Sequence, residues 1–269
     1  MPLAVCATPI GNLDDVTLRV LTELREAELV LCEDTRRTRV LLDRHGVSAR
    51  LLSYHMHNEA KRTPEVVARL GRGDRIALVS DAGLPGVNDP GARLIGAAVA
   101  AGLPVTVLPG ASAVETALVA SGVMSGRYQF VGYLPRRRGE LRIVAEELSR
   151  WPHSAVAFES PRRLPASLAV FAEVMAARPA AVCRELTKRF EAIVRGTLGE
   201  LADRFTEPPK GEIRLVLGAA VDDRADEVSA HAVAAVAELV AAGVARRQAV
   251  DLVAHLSGAP RNALYRSSL

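Results

Sequence analysis

The chain has 269 residues, of which 49% are hydrophobic and 24% are charged, and its formal net charge is +3. This length and composition exclude a wholly disordered protein and allow one large domain or two of ordinary size. The mildly basic balance permits a nucleic-acid partner but does not require one. The three cysteines are scattered without metal-ligand spacing, and no apolar run approaches the roughly 18 residues of a membrane span. We therefore expect a cytoplasmic protein with no metal site and no membrane partner.

Short apolar runs alternate with helix-like stretches through the first half of the chain. Leu18, Leu21 and Leu24 stand at helical spacing, and Pro64 is expected to open a helix that runs to Leu70. Because the strand-like runs are almost continuously apolar, the alternation predicts a mainly parallel sheet covered by helices. The predicted strands are 3–7, 29–32, 51–54, 76–80 and 105–108.

The second half has a different pattern. Small residues and two glycines at 121–126 predict a domain boundary after residue 122. Beyond it the apolar runs alternate more with polar residues, which predicts an α+β domain with a mixed sheet at 123–221. Residues 222–269 are typical of a helical tail, for which a small helical cap is favoured over a DNA-reading helix–turn–helix. The predicted strands are 129–133, 155–159, 181–185, 192–197 and 213–217, and the predicted helices include 164–175, 230–242 and 246–256.

Three loops rich in glycine, proline and small residues follow predicted strands, at 8–12, 80–91 and 109–113. Open α/β sheets bind ligands at the carboxyl ends of their strands, so three such loops in one domain indicate a shared cleft. The middle loop is the most informative. Ala82 and Gly83 let a flat ligand approach the backbone, and Asp81 can accept from a ribose hydroxyl or an amino group, or else brace the turn.

Several other kinds of site are excluded by the sequence. It has no G-x-G-x-x-G pattern, no Walker A pattern and no H-x-E…C-x-x-C pattern, which argues against the usual dinucleotide and P-loop sites and against a zinc deaminase. His55, His57 and Glu59 have the chemistry of metal ligands. Without a third convincing partner, contact with solvent or substrate is the favoured interpretation for the two histidines.

Ordered segments along almost the whole chain resemble one family. In the first half they are Thr8-Pro9-Ile10-Gly11-Asn12-Leu13, Glu33-Asp34-Thr35-Arg36, His57-Asn58-Glu59, Ser80-Asp81-Ala82-Gly83 with Asn88-Asp89-Pro90-Gly91, and Pro109-Gly110. In the second half they are Gly132-Tyr133-Leu134-Pro135, Glu159-Ser160-Pro161-Arg162-Arg163, Arg184-Glu185-Leu186-Thr187-Lys188 and Lys210-Gly211-Glu212. Together they resemble the tetrapyrrole-methylase superfamily of S-adenosylmethionine-dependent enzymes. Two segments depart from it: Leu84 stands where threonine is common, and Ala111-Ser112-Ala113 is one version of a variable segment.

The resemblance implies a fold and a methyl donor. The fold is α/β, with two α/β domains of tetrapyrrole-methylase type, the donor site in the cleft between them, and a small C-terminal helical extension. The implied donor is S-adenosyl-L-methionine, and the implied assembly is a homodimer. The residues that the resemblance assigns to the donor are Pro9, Asp81, Ala82, Gly83, Leu84, Ser112 and Ala113, with weaker assignments for Leu134, Glu159 and Glu212.

The resemblance also implies an acceptor, because the chain is most similar to bacterial members that methylate the ribose 2′-oxygen of a cytidine in 16S rRNA. A ribose hydroxyl is a poor nucleophile, so a base or a cation beside it assists the transfer. We hypothesise that Lys188 stabilises the incipient alkoxide, with Glu185 or Glu59 as the base. The candidate contacts to RNA, within the small ribosomal subunit, are Asp34, Arg36, Arg37, His57, Arg136, Arg137 and Arg138.

Two alternatives stay open at the level of sequence. One is another member of the superfamily that acts on a corrin-type ring or a protein side chain. The arginine clusters and the segments at 33–36 and 57–59 favour RNA over that alternative. The other is a non-catalytic RNA-binding protein that uses the helical tail.

Overall fold

The computed structural model describes residues 3–220 and 230–269. Contacts between residues divide the chain into two units, Met1–Ala219 and Ala220–Leu269. The predicted boundary between residues 221 and 222 lies outside the described residues. The predicted boundary after residue 122 stays a prediction.

A five-stranded sheet forms the first half of the larger unit. Its order is β3-β2-β4-β1-β5, and every neighbouring pair is parallel. The strands β1, β2 and β4 are buried at every position, as their continuous apolar sequence predicts for strands with helices on both faces. The strands are β1 Leu3–Cys6, β2 Leu29–Cys32, β3 Leu51–Ser53, β4 Ile76–Leu78 and β5 Val105–Leu108.

Five α-helices accompany this sheet, which with them is called the first lobe. They are α1 Leu18–Glu26, α2 Thr35–Arg44, α3 Glu59–Gly71, α4 Ala92–Ala100 and α5 Ala113–Ser121. The prediction that Pro64 opens a helix is wrong, because α3 begins five residues earlier and includes Pro64. The Asn58 carbonyl starts this helix by accepting from the N–H groups of Lys61 and Arg62. The Thr63 hydroxyl donates to the Glu59 carbonyl within the same first turns.

A second five-stranded sheet, with its helices, is called the second lobe. Its order is β6-β7-β10-β8-β9; β6 and β7 are parallel and all other pairs are antiparallel, which is the predicted mixed sheet. Helix α6 begins in the arginine run and buries Leu141, Ala145 and Leu148. The elements are β6 Tyr128–Tyr133, α6 Arg138–Arg150, β7 Ser154–Glu159, α7 Leu164–Met175, β8 Pro179–Arg184, β9 Ala192–Thr197, α8 Leu198–Arg204 and β10 Ile213–Leu217.

Helix α5 joins the two lobes. It follows the last strand of the first sheet, yet its side chains Val114, Ala117 and Leu118 pack with Val156 and Val216 of the second sheet. Burial of large aliphatic side chains contributes about 1.5–3 kcal/mol each, so this shared cluster holds the lobes together.

The described part of the unit Ala220–Leu269, which is residue 220 and residues 230–269, contains three helices: α9 Ala230–Ala241, α10 Arg246–Ser257 and α11 Arg261–Ser267. They enclose a small core of Val236, Val250, Val253 and Leu264. The predicted helical tail is present in these residues. Over the described ranges 3–220 and 230–269, none of the helices combines the length and the apolar character needed to cross a bilayer.

Candidate active site

The loops that follow β1 and β4 are joined at the carboxyl edge of the first sheet. The Thr8 N–H donates to the Gly83 carbonyl over 2.8 Å, and the Gly83 N–H donates back to the Thr8 carbonyl over 3.0 Å. The Thr8 hydroxyl donates to the Ser80 carbonyl. Gly83 has a φ of +79°, which favours glycine. This clamp fixes the 80–91 loop at the edge where open α/β sheets bind ligands.

A cavity of about 910 Å³ lies between this edge and the second lobe. That volume is typical of small-molecule sites, which measure roughly 300–1,000 Å³. A smaller cavity of about 270 Å³ shares Asp81, Lys188 and Glu212 with it. The walls of the large cavity include, from the first lobe, Arg37, Asp81, Ala82, Gly83, Leu84, Asp89, Ser112, Ala113 and Glu115, and, from the second, Tyr128, Phe158, Glu159, Glu185, Lys188, Glu212 and Arg214.

The structure brings most of the residues predicted to hold the donor to these two cavities. Asp81, Ala82, Gly83, Leu84, Ser112, Ala113, Glu159 and Glu212 line the large cavity, and Pro9 lines the small one. Leu134 is placed elsewhere, 2% exposed in the core of the second lobe. Glu159 reaches the cavity wall, but its carboxylate already accepts from Arg163, Ser167 and the Ser160 N–H. These contacts brace the turn after β7.

Asp81 links two strand ends of the first sheet. Its Oδ1 accepts the Asp34 N–H over 3.0 Å, and its Oδ2 lies 3.4 Å from Nη1 of Arg37. Asp34 caps α2, and a side-chain hydrogen bond from Arg36 lowers its pKa. A carboxylate can accept about four hydrogen bonds, so Asp81 keeps acceptor capacity for a ligand after these two contacts.

Two further carboxyl groups lie close to Asp81. The pKa of Asp89 is raised to about 6, mainly by burial and also by the charges of Glu33 and Asp81, while Arg214 and a hydrogen bond from Ser80 oppose the shift. Burial also raises the pKa of Glu33, with Asp81 again adding to the effect. The edge of the sheet therefore carries a group of carboxyls that do not all ionise easily.

A second polar group in the wall of the large cavity consists of Ser112, Glu115 and Tyr128. The Tyr128 hydroxyl donates to Glu115 Oε1 over 2.6 Å, and the Ser112 hydroxyl donates to Glu115 Oε2. Burial raises the pKa of Glu115, but these two hydrogen bonds outweigh burial and the net effect lowers that pKa. An ionised acceptor is thus fixed at the start of α5, where the helix dipole also favours a negative charge.

The loop after β8 carries Lys188 to the cavity. Lys188 Nζ lies 3.1 Å from Glu185 Oε1 and 3.3 Å from Glu212 Oε2. The Glu212 N–H donates to Glu185 and lowers its pKa, and Lys188 adds to that effect. Glu185 and Thr187 have positive φ values of 51° and 64°, a strained conformation for side chains other than glycine. Residues in such strained conformations cluster at active sites and ligand-binding sites.

This lysine loop touches the first lobe at Gly11. A Cβ atom built on Gly11 would lie 2.6 Å from Lys188 Cγ and 2.7 Å from both the Leu186 carbonyl and Thr187 Oγ1. We expect Gly11→Ala to lower the free energy of unfolding by about 1–3 kcal/mol, because a backbone carbonyl must move. We expect turnover to fall as well, because Lys188 moves with the loop. Urea unfolding and methyl-transfer assays measure the two effects.

Gly96→Ala is the matched control for this substitution. Gly96 lies in α4, and a Cβ atom there meets nothing within 4 Å. Alanine is the better helix former by about 1 kcal/mol, so this variant should be at least as stable as the parent and as active. A Gly11→Ala variant that behaves like Gly96→Ala would contradict the contact between the loops.

The remaining predicted acceptor-side residues are spread more widely. Glu59 begins α3, with its carboxylate 3.6 Å from Arg93, and it is not among the described residues that line the two cavities. Arg37 lines both cavities. His57 is exposed and its ring lies 5.8 Å from that of His55. Arg36, Arg136, Arg137 and Arg138 are exposed, the last three where α6 begins.

Several wall residues were not predicted. Arg214 lies on β10 with its guanidinium 4.7 Å from the centre of the Phe158 ring, and its buried Nε has no hydrogen-bond partner among the described residues. A charged residue inside the apolar run 213–217 was the available signal. Glu115 stands three residues after Ser112, which is capping-box spacing. Asp89 was part of a recognised segment without a role of its own.

Taken together, the fold and the cavity define a class. A parallel sheet presents ligand-binding loops at its carboxyl edge, and a mixed sheet closes the site from the other side, as in a two-lobed α/β enzyme. The family model for Tetrapyrrole (Corrin/Porphyrin) Methylases matches residues 2–202. The chain belongs to this family. Membership confirms the predicted fold class and the predicted methyltransferase activity with S-adenosylmethionine as donor.

Curated relatives match almost the entire chain. A protein of Mesorhizobium japonicum named ribosomal RNA small subunit methyltransferase I is 44% identical, over 99% of this chain and 91% of the relative. Proteins of the same name from Micromonospora olivasterospora and Synechocystis are 42% and 39% identical, over 98% and 99% of this chain and 85% and 97% of theirs.

Solved structures share the fold at low sequence identity. Uroporphyrin-III C-methyltransferase from Thermus thermophilus has a TM-score of 0.56 and is 20% identical, with 80% of this chain and 93% of that chain covered. Diphthine synthase has a TM-score of 0.58 and is 14% identical, with 80% and 89% covered. These likenesses concern the fold alone.

Proposed function

We propose that this protein transfers a methyl group from S-adenosylmethionine to the ribose 2′-oxygen of a cytidine in 16S rRNA. The observation that carries the proposal is the match, at 36–44% identity over 98–99% of the chain, to relatives named ribosomal RNA small subunit methyltransferase I. The substrate of the relatives is therefore the first one to test.

The residues around the large cavity fit the donor. A Cβ atom on Gly110 would lie 3.0 Å from Ala7 Cβ, so a side chain there would crowd the strand end that the cavity adjoins. Ala82 has a small side chain and Gly83 has none, so a ligand in the cavity can approach the backbone of the 80–91 loop. Asp81 offers an acceptor for a ribose hydroxyl. When bound, the donor supplies a sulfonium methyl group. The chain's own part is to hold the acceptor oxygen in line with that methyl.

Lys188 is the residue proposed to stabilise negative charge on the acceptor oxygen. Its ammonium group lies in the walls of both cavities and is held by Glu185 and Glu212. A fixed cation at a developing alkoxide lowers the barrier without reorganising during the reaction. Glu185 or Glu59 as the base stays a prediction, although the lowered pKa of Glu185 makes it a weak proton acceptor.

The proposed partner is 16S rRNA within the small ribosomal subunit, bound by the protein as a cytoplasmic homodimer. Arg36 and Arg37 stand at the start of α2 beside the cavity, and Arg136, Arg137 and Arg138 lead into α6. Arginines at exposed positions around a cleft suit contact with phosphates. Exposed apolar side chains such as Leu18 on α1 and Val119 on α5 support a second copy as a partner, which light scattering would detect.

Transfer of tritium from labelled donor to purified small ribosomal subunits tests the proposal. We expect label in 16S rRNA, at a cytidine that resists alkaline cleavage on its 3′ side because its 2′-oxygen is methylated. If the label entered an added corrin-type ring or a protein side chain instead, the proposed substrate would be wrong and the methyltransferase assignment would stand. Tight RNA binding without any label would contradict the enzyme assignment.

A further inference from the structure

Three carboxyl groups meet at the carboxyl edge of the first sheet: Glu33, Asp81 and Asp89. Asp81 is held by the Asp34 N–H and by Arg37. Asp89, in the wall of the large cavity, has no ion pair within 4 Å among residues 3–220 and 230–269. Unlike Asp81, it is therefore not held in an ion pair by a described residue.

The backbone around Asp89 is fixed. Asn88 has a φ of 63°, an uncommon conformation for a residue other than glycine. The Asn88 side chain lies against Gly132, where its Oδ1 would be 3.3 Å from an added Cβ atom. Gly132 follows a register shift in β6 that begins after Phe130. A loop of the first lobe thus rests on an irregularity of the second, and the next residue, Asp89, faces the cavity.

The surroundings of Asp89 are suited to proton transfer. The pKa of Asp89 is raised to about 6, mainly by burial and also by the nearby charges of Glu33 and Asp81, while Arg214 on β10 and the Ser80 hydroxyl act against the shift. A base with a pKa near the working pH combines a large deprotonated fraction with real affinity for the proton. Glu185 lacks this property because its pKa is lowered.

We propose that the Asp89 carboxylate accepts the proton of the acceptor hydroxyl, an inference that rests on the proposed methyl transfer to a ribose. As the bond forms between the acceptor oxygen and the methyl carbon, the bond between that carbon and the donor sulfur breaks, and the sulfonium becomes a neutral thioether. The hydroxyl proton passes to Asp89 and from there to water. The Lys188 ammonium, in the wall of the same cavity, stabilises the negative charge on the acceptor oxygen while the proton leaves.

Asp89→Asn tests this assignment in two ways. Loss of a general base lowers kcat by about 100-fold or more, and Asp89→Glu should recover part of the loss. In the parent protein kcat/KM should rise with pH through an inflection near 6, because only deprotonated Asp89 accepts a proton. The inflection should be absent in Asp89→Asn. Independently of turnover, ¹³C NMR of the carboxyl groups without donor should show one aspartate titrating near 6, missing in Asp89→Asn.

Glu33→Gln and Asp43→Asn sharpen the test. Removing the Glu33 charge lowers the pKa of Asp89, so the inflection and the NMR titration should both move to lower pH. Asp43 is exposed on α2, and the same chemical change there should alter neither. Turnover of Asp89→Asn within about threefold of the parent would overturn the inference alone. A parent protein that labels no RNA would overturn the proposed function and this inference with it.

Discussion

Replacing Arg178 by methionine should lower the free energy of unfolding of the larger unit by about 4 kcal/mol, the largest loss of stability we expect from a single substitution. Arg178 is 3% exposed and donates to the backbone carbonyls of Leu148, Trp151, His153 and Gly218. Burial lowers its pKa, with no carboxylate contributing. Each buried carbonyl left without a donor costs about 1–3 kcal/mol, partly offset by removal of a buried charge.

The physical reason for the size of this effect is the position of the carbonyls. They belong to the end of α6, the turn before β7 and the end of β10, so one guanidinium joins three chain segments. Arg178→Lys should recover only part of the stability, because an ammonium lacks the planar fork. Arg150→Met, on an exposed residue at the end of α6, should change stability by less than about 0.5 kcal/mol. Equal urea midpoints for the two methionine variants would contradict the role of Arg178.

The sequence predicted the strands better than the helices that join them. Apolar runs such as 29–32 and 76–78 became β2 and β4, because strands covered on both faces have few polar positions. Helix α6 was not predicted, because the arginines at its start interrupt the apolar spacing of its first turn. The helix start predicted at Pro64 was wrong because α3 starts after Asn58. Backbone hydrogen bonds to the Asn58 carbonyl, and not the proline, determine this start.

The packing of α5 shows what a local pattern does not contain. Its sequence predicts a helix after β5, and the helix is there. Nothing in those nine residues says that they cover the second sheet, since that depends on Val156 and Val216, far along the chain. Long-range contacts of this kind determine how the two lobes enclose a cleft. The cleft between the lobes was therefore predicted from the family resemblance and not from the periodicity of the sequence.

The candidate site likewise contains residues that a local sequence pattern predicts and residues that only the tertiary structure reveals. Asp81 was found because a loop rich in glycine and proline follows a buried strand, which is a local signal. Arg214 and Tyr128 were not found, because they matter only through neighbours from other elements, Phe158 and Glu115. The pKa of Asp89 depends likewise on Glu33, which the fold places beside it. Residue type predicts which chemistry a site can perform, whereas the pKa values of its residues depend on the tertiary structure.

Replacing Asp81 by alanine should weaken binding of S-adenosylmethionine by about 100-fold, the largest loss of donor affinity we expect. Asp81 lines both cavities and keeps free acceptor positions after its contacts with the Asp34 N–H and Arg37. A hydrogen bond from a donor hydroxyl to a carboxylate contributes about 1.5–3 kcal/mol, and each 1.4 kcal/mol is a factor of ten in Kd. Isothermal titration calorimetry with the donor measures the change.

Asp81→Asn separates ligand binding from bracing of the loop. The amide oxygen can still accept the Asp34 N–H, so the loop should keep its shape while the charge is lost, and the loss of affinity should be about tenfold. Asp43→Ala on exposed α2 should bind the donor like the parent. If Asp81→Ala lowered the urea midpoint but left Kd within about threefold of the parent, Asp81 would be a brace and not a ligand. The donor's hydroxyls would then need another acceptor, and Glu115, ionised at the start of α5 and also in the wall of the large cavity, is the next to replace.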